Sequence, residues 1–189
     1  MAAGFGMHNE SRTSISRPTI GQRDPYQPQI RRSLQTGVFL YTLECVPDLR
    51  ANGNRAMEDI RRNAELIGRD PRIAGVNIGD RVKSLDSFDT VDCGRIALDA
   101  SGKVPLLHLA GKDRTPDQAR TIIARALSQG LENMLLLTGD GITEHRTERI
   151  RYQESVIAIR DAKSMAPGCL VAAAISPFKY REEELAKIG

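Results

Sequence analysis

Glu44, Asn77, His108 and Asp140 stand where short apolar runs of this sequence stop. Two carboxylates, a carboxamide and an imidazole are groups that exchange protons and orient a ligand through hydrogen bonds. The runs are Leu40 to Leu43 before Glu44, Ile73 to Val76 before Asn77-Ile78-Gly79-Asp80, Val104 to Leu107 before His108, and Met134 to Leu137 before Thr138-Gly139-Asp140-Gly141. A fifth run, Leu170 to Ala174, stops at Ile175-Ser176-Pro177. Continuous apolar runs of this length, ending in glycines and polar residues, read as buried parallel strands. Folds of α/β type place their chemistry beyond the carboxyl ends of such strands. One edge therefore collects Glu44, Asn77, His108 and Asp140. Residue type alone leaves a plainer reading beside each: Glu44 as a loop cap, Asp140 before Gly141 as a turn former, His108 as a satisfied core histidine. No His or Cys spacing indicates a metal site, and His8 and His145 lie in polar stretches.

The elements that position these residues alternate along the chain. Residues 1 to 36 are rich in Gly, Ser, Arg, Gln and Pro without a sustained period, and read as a flexible N-terminal arm. Residues 37 to 189 form one domain. Asn54 to Gly68 sets Ala56, Ile60, Ala64 and Ile67 at helical spacing. Ser87 to Ala100 follows with Phe88, Val91, Ile96 and Leu98. A third helix is announced by Thr115 as cap, Pro116 in the first turn and Asp117 against the dipole, with Ile122, Ile123, Ala126 and Leu127 inward before Gly130. A fourth is expected over Thr147 to Met165, with Ile150, Val156, Ile157 and Ile159 inward, ended by Pro167-Gly168.

Alternating strands and helices imply right-handed crossovers and a parallel sheet, either doubly wound or closed as a (βα)8 barrel of TIM type. No Gly-x-Gly-x-x-Gly follows the first strand, and polar residues end every strand rather than one switch point, which favours the barrel. A full barrel takes about 250 residues, and at least about 200. The 189 residues hold about the first five βα units, so the expectation is a barrel domain lacking its last three.

Composition restricts the function classes. The chain is 40% hydrophobic and 27% charged, with a net charge of +3 and a pI near 8.9. Basic and acidic residues interleave and aromatics are few, which argues against nucleic acid as a partner. No apolar stretch approaches the roughly 20 residues of a membrane span. The odd cysteine count, Cys45, Cys93 and Cys169, indicates no disulfide framework. A cytoplasmic protein is expected.

The blocks Leu43-Glu44-Cys45-Val46-Pro47, Gly75-Val76-Asn77-Ile78-Gly79, Pro105-Leu106-Leu107-His108-Leu109 and Gly130-Leu131-Glu132-Asn133-Met134-Leu135-Leu136-Leu137-Thr138-Gly139-Asp140 together resemble the methylenetetrahydrofolate reductase family, in a divergent branch. The resemblance runs from about Gly37 to the C-terminus. It implies flavin-dependent reduction of 5,10-methylenetetrahydrofolate to 5-methyltetrahydrofolate, with FAD or FMN as cofactor. It also implies a folate substrate, and NADH, NADPH or an electron-donor protein as reductant. By the same resemblance Glu44 is the acid that protonates N5 of the folate, and Asp140 lies between flavin and pterin. Asn77, Gly79, His108, Thr138, Gly139 and Tyr152 match flavin-contacting positions. The sequence departs from the family where Thr138 replaces an Arg, where Pro47-Asp48 replaces Pro-Pro, and at Asn77-Ile78 and Ile175-Ser176-Pro177-Phe178-Lys179. Lys112 or Lys179 is a candidate substitute for the missing cation.

An acid working near neutral pH needs a raised pKa, and Leu43, Cys45 and Val46 are expected to supply it by desolvation, with Asp140 adding to it. Two other readings stand beside the reductase: a flavin-independent pterin-binding barrel for methyl transfer, and an inactive fragment or interaction module that self-associates through unpaired strand edges. The family's later strands carry further ligand contacts, so the 189-residue chain alone is expected to lack turnover.

Overall fold

The alternation of apolar runs and amphipathic segments builds five parallel strands, with a helix after each of the first four. The computed structural model describes residues 29–46, 53–80, 89–112, 114–139 and 153–174. In chain order the elements are α1 (Gln29–Thr36), β1 (Tyr41–Cys45), α2 (Gly53–Arg69), β2 (Ile73–Ile78), α3 (Thr90–Ser101), β3 (Leu106–Ala110), α4 (Pro116–Ser128), β4 (Asn133–Leu137), α5 (Ser155–Met165) and β5 (Leu170–Ala173). The sheet order is β1-β2-β3-β4-β5 and every pairing is parallel. Strands that neighbour one another in sequence order, joined by right-handed crossovers, place their helices on one face.

The side chains show this. Val76, Ile78, Leu107, Met134 and Leu136 point to one side and share a single core with Ile60, Ala64 and Ile67 of α2, Val91, Cys93 and Ala97 of α3, Ile123 and Ala126 of α4, and Ala158 and Ala162 of α5. Fully burying a side chain such as Ile78 contributes roughly 1.5–3 kcal/mol, so this layer is the main source of stability. Registration assigns the other face. Glu44 pairs with Asn77, Asn77 with Leu106, Leu106 with Asn133 and Asn133 with Leu170, so residues two apart from these also share that face.

Local signals fix the helix ends. The Asp89 carboxylate accepts from the amides of Val91 and Asp92, and Gly102 closes α3 at φ 66°. Thr115 and Gln118 form a reciprocal capping box at α4, with Pro116 in the first turn. The buried positions of α2 are Ala56, Ile60, Ala64 and Ile67, as the spacing predicts. Gly68 lets α2 touch α3: a Cβ there would lie 2.7 Å from the Ser101 carbonyl oxygen.

Four expectations change. Residues 29–36, within the segment read as an arm, form α1, whose Ile30 is 2% exposed and packs beside Gly75. One apolar residue seated on a glycine is invisible to a composition average. On α3 the fully buried positions are Thr90, Val91, Cys93, Gly94 and Ala97, while Ile96 and Leu98 only flank the core. A Cβ on Gly94 would stand 2.6 Å from Leu107, so the close contact selects small residues. On α5 the inward residues are Ser155, Ala158, Asp161 and Ala162, and Ile157 is exposed. Met134 and Leu136 already fill the core side of β4, and α5 meets that core with Ala158 and Ala162 while Ile159 packs partly buried beside them. Ile150, in the first part of the expected helix, lies outside the described residues. Finally, Glu44 and His108 lie inside β1 and β3 rather than after them.

At the amino edge of the sheet, buried Lys103 donates from Nζ to the carbonyls of Ile67, Asp70 and Ile73 at 2.8, 2.7 and 2.6 Å. The Ile67 and Asp70 carbonyls also accept from the amides of Asp70 and Ile73, so the ammonium is a second donor to two of the three. Burial pulls this ammonium below its ordinary value and Asp70 opposes the shift. Lys103→Met should remove one donor from each of the three carbonyls and lower stability by roughly 1–3 kcal/mol, read as an earlier urea midpoint at unchanged slope.

Candidate functional site

The open face of the sheet carries, strand by strand, Thr42 and Glu44, then Gly75, Asn77 and Gly79, then Leu106, His108 and Ala110, then Asn133, Leu135 and Leu137. Its carboxyl half is the polar part. Glu44 and His108 approach across the intervening β2, with His108 Nδ1 3.9 Å from Glu44 Oε1. Gly79 lies beside this pair: a Cβ on it would make ordinary contact with Glu44 Oε1 at 3.7 Å and Val46 at 3.6 Å. The imidazole is well buried and the Glu44 side chain is 54% exposed.

Asn77 Oδ1 and His108 Nε2 are buried and have no hydrogen-bond partner among the described residues. Buried polar atoms are rarely left unpaired, so two on neighbouring strands of one face mark a place built for something else to bond. A proton on Nδ1, the nitrogen nearer Glu44, leaves Nε2 an acceptor. Both atoms then call for N–H donors.

The rim beyond β3 and β4 is tightly set. Gly139 has φ 80°, and a Cβ on it would lie 2.6 Å from the Ala110 methyl. Gly111 donates to the Leu137 carbonyl and its own carbonyl accepts from Gln153 at 3.2 Å. A Cβ on Gly111 would stand 1.9 Å from the Gln153 carbonyl oxygen, so no other residue fits. Gln153 in turn donates to Asp161, which Arg120 also holds. Burial works to raise the Asp161 pKa, but these two hydrogen bonds outweigh it and the net shift is downward.

The structure thus brings together Glu44, Asn77, Gly79 and His108, with Gly139 at the same rim through its contact with Ala110. It separates Thr138, whose hydroxyl donates to Glu154 Oε2 at 3.2 Å at the start of α5. Asp140, Tyr152 and Lys179 lie outside the described residues. Lys112 is placed by its amide on the Thr138 carbonyl. The apolar surround expected for Glu44 is a correction: Leu43 and Cys45 point to the opposite face and Val46 is exposed, so Glu44 meets water and His108 instead. Alternation along a strand turns both flanking residues away from it.

Two residues of the site have no place in the sequence reading. Asp80 and Arg114 form a buried ion pair just behind His108. Asp80 was visible as the residue closing the β2 run, but its partner is 34 positions away and no spacing announces it.

Burial pulls the His108 pKa below 6.5, and Glu44 and Asp80 pull it back up. The folded value lies below the unfolded one, so the unfolded chain binds the proton first as pH falls. His108 therefore costs stability progressively from about pH 6.5 downward. An NMR titration of His108 should give a midpoint below 6.5, and Glu44→Gln should lower it further.

No known protein-family model matches this sequence, and no curated protein shows significant similarity to it. Among the described residues no three His, Cys, Asp or Glu side chains are grouped to hold a metal ion. No helix among them is long and apolar enough to cross a membrane.

Proposed function

We propose that this face is the active site of a flavin-dependent reductase of 5,10-methylenetetrahydrofolate, on a sheet of (βα)8-barrel type. One observation carries the reading: Glu44, Asn77, Gly79 and His108 share the carboxyl half of one open sheet face, with two buried acceptors unpaired. The sequential strand order, with α2 to α5 on a single side, supports the barrel over a doubly wound sheet.

The residues fit a flavin. Asn77 Oδ1 and His108 Nε2 call for donors of the kind found on the polar edge of a nitrogen heterocycle. Gly79 stands between Asn77 and the rim on the same face, and Gly139 closes the rim against Ala110. Asn77, Gly79, His108 and Gly139 would hold it, with FAD or FMN as the cofactor and NADH, NADPH or a donor protein as the source of electrons. Bound flavin supplies the hydride that reduces the substrate.

The chain's own part is proton delivery and orientation. Glu44 gives its proton to N5 of the folate as the imidazolidine ring opens. Water at the carboxylate is excluded when a ligand lies on the face, which favours the protonated form. His108 holds the other side of that carboxylate and sets its direction. Asp140 and Tyr152 complete the assignment as the pterin carboxylate and a flavin-contacting aromatic.

The test is flavin binding followed by single-turnover reoxidation. FAD should quench on binding, and Asn77→Ala and His108→Ala should weaken it. Reduced enzyme should be reoxidised by methylenetetrahydrofolate, and Glu44→Gln should slow that step by roughly 10²-fold or more while flavin still binds. Failure to bind FAD or FMN, or a Glu44→Gln rate equal to wild type, defeats the proposal.

A second reading, an association module, rests on β1. Val38, Phe39, Tyr41 and Leu43 are all about half exposed or more, and the Phe39 and Tyr41 rings meet in a tilted pair with centroids 4.8 Å apart. Concentration-dependent association in gel filtration, lost in Phe39→Lys, would favour it.

A further inference from the structure

β3 outruns β2. The β2–β3 ladder consists of Asn77 with Leu106 and Ile78 with Leu107, and β2 ends at Ile78. On its other side β3 is paired with β4 over all five residues, Leu106 to Ala110. The last two residues of β3, Leu109 and Ala110, just past His108, therefore lie beyond the β2 ladder and are paired with β4 alone among the described residues. On the β2 side a side chain takes over: Asp80 Oδ2 accepts from the Ala110 amide at 2.6 Å. Arg114 closes the other side, donating from Nη1 to the Ala110 carbonyl at 2.6 Å while pairing with both oxygens of Asp80. Thr90 at the start of α3 donates to Asp80 Oδ1 at 3.0 Å. Both charges are more than nine-tenths buried, at 7% exposure for Asp80 and 8% for Arg114.

We infer that Asp80 and Arg114 are positioning residues of the active site, a clamp on Ala110 that fixes the tip of β3 and with it the distance from His108 to Glu44. Burying an ion pair is a costly way to hold a strand, because an apolar pair of the same volume is often as stable. Its distinctive return is direction, since a guanidinium fork meets a carboxylate in a fixed plane. Here both members of the pair also bond the backbone of Ala110, two residues beyond His108 on the same face. The Ala110 methyl is also the surface on which Gly139 rests. One clamp thus sets the imidazole, the gap to Glu44 and the glycine rim together.

This inference rests on the proposed site, and its test separates the two. The measured quantity is coupling: the downward shift of the His108 NMR titration midpoint caused by Glu44→Gln. In the charge-balanced variant Asp80→Asn/Arg114→Gln, which leaves no lone buried charge, most of that shift should vanish and FAD should bind at least roughly tenfold more weakly. Thr90→Val, which removes one contact and keeps both charges, should move both readouts the same way by less. It serves in place of the double variant should that one not fold. A folded variant in which Glu44→Gln shifts His108 as much as in wild type overturns the clamp. Absence of FAD binding in the wild-type chain defeats the reductase reading alone, because the His108 coupling is measured without flavin.

Discussion

The structure depends on the register of one parallel ladder. Because β1 to β5 follow one another in chain order, their crossovers send α2 to α5 to a single side, and on the other side Ile30 of α1 covers Gly75 near the amino end of the sheet. Register then decides which residues of that side meet. Glu44 stands beside Asn77, and His108 lies one strand further on, at the level of Gly79. A slip of one residue in β1 would turn Glu44 into the apolar core and Leu43 onto the polar face, so the same pairing that packs Val76 and Ile78 also aims the carboxylate.

The two faces divide the labour physically. The helix side is close packed, with glycines where elements touch: Gly68 on Ser101 and Gly94 on Leu107. At the amino edge Lys103 donates to three carbonyls, while Asn133 Oδ1 has no partner among the described residues. The carboxyl edge holds unpaired acceptors on Asn77 and His108, an exposed carboxylate on Glu44, and glycines whose contacts leave the rim thin. The apolar core that carries stability lies on the helix side, and Glu44, Asn77 and His108 lie on the other.

The Asp80–Arg114 pair shows how such a rim is held without extending the sheet. A carboxylate that accepts from the Ala110 amide supports β3 past the end of the β2 ladder through one contact, and Arg114 neutralises its charge. The arrangement resembles a ladder continued by a side chain.

By itself the sequence determined the number and order of strands, the caps of α4, the inner face of α2, and the presence of Glu44, Asn77 and His108 on a common face. These follow from periods of two and 3.6 residues and from turn chemistry, all read within a few positions of one another. Only the tertiary structure decided that α5 turns its alanines inward, that Thr138 faces α5, that Glu44 meets water and an imidazole rather than an apolar wall, and that Asp80 finds Arg114. Each of those depends on what packs opposite, 16 to 64 positions away for the side-chain pairs, and a local pattern carries no record of its distant partner.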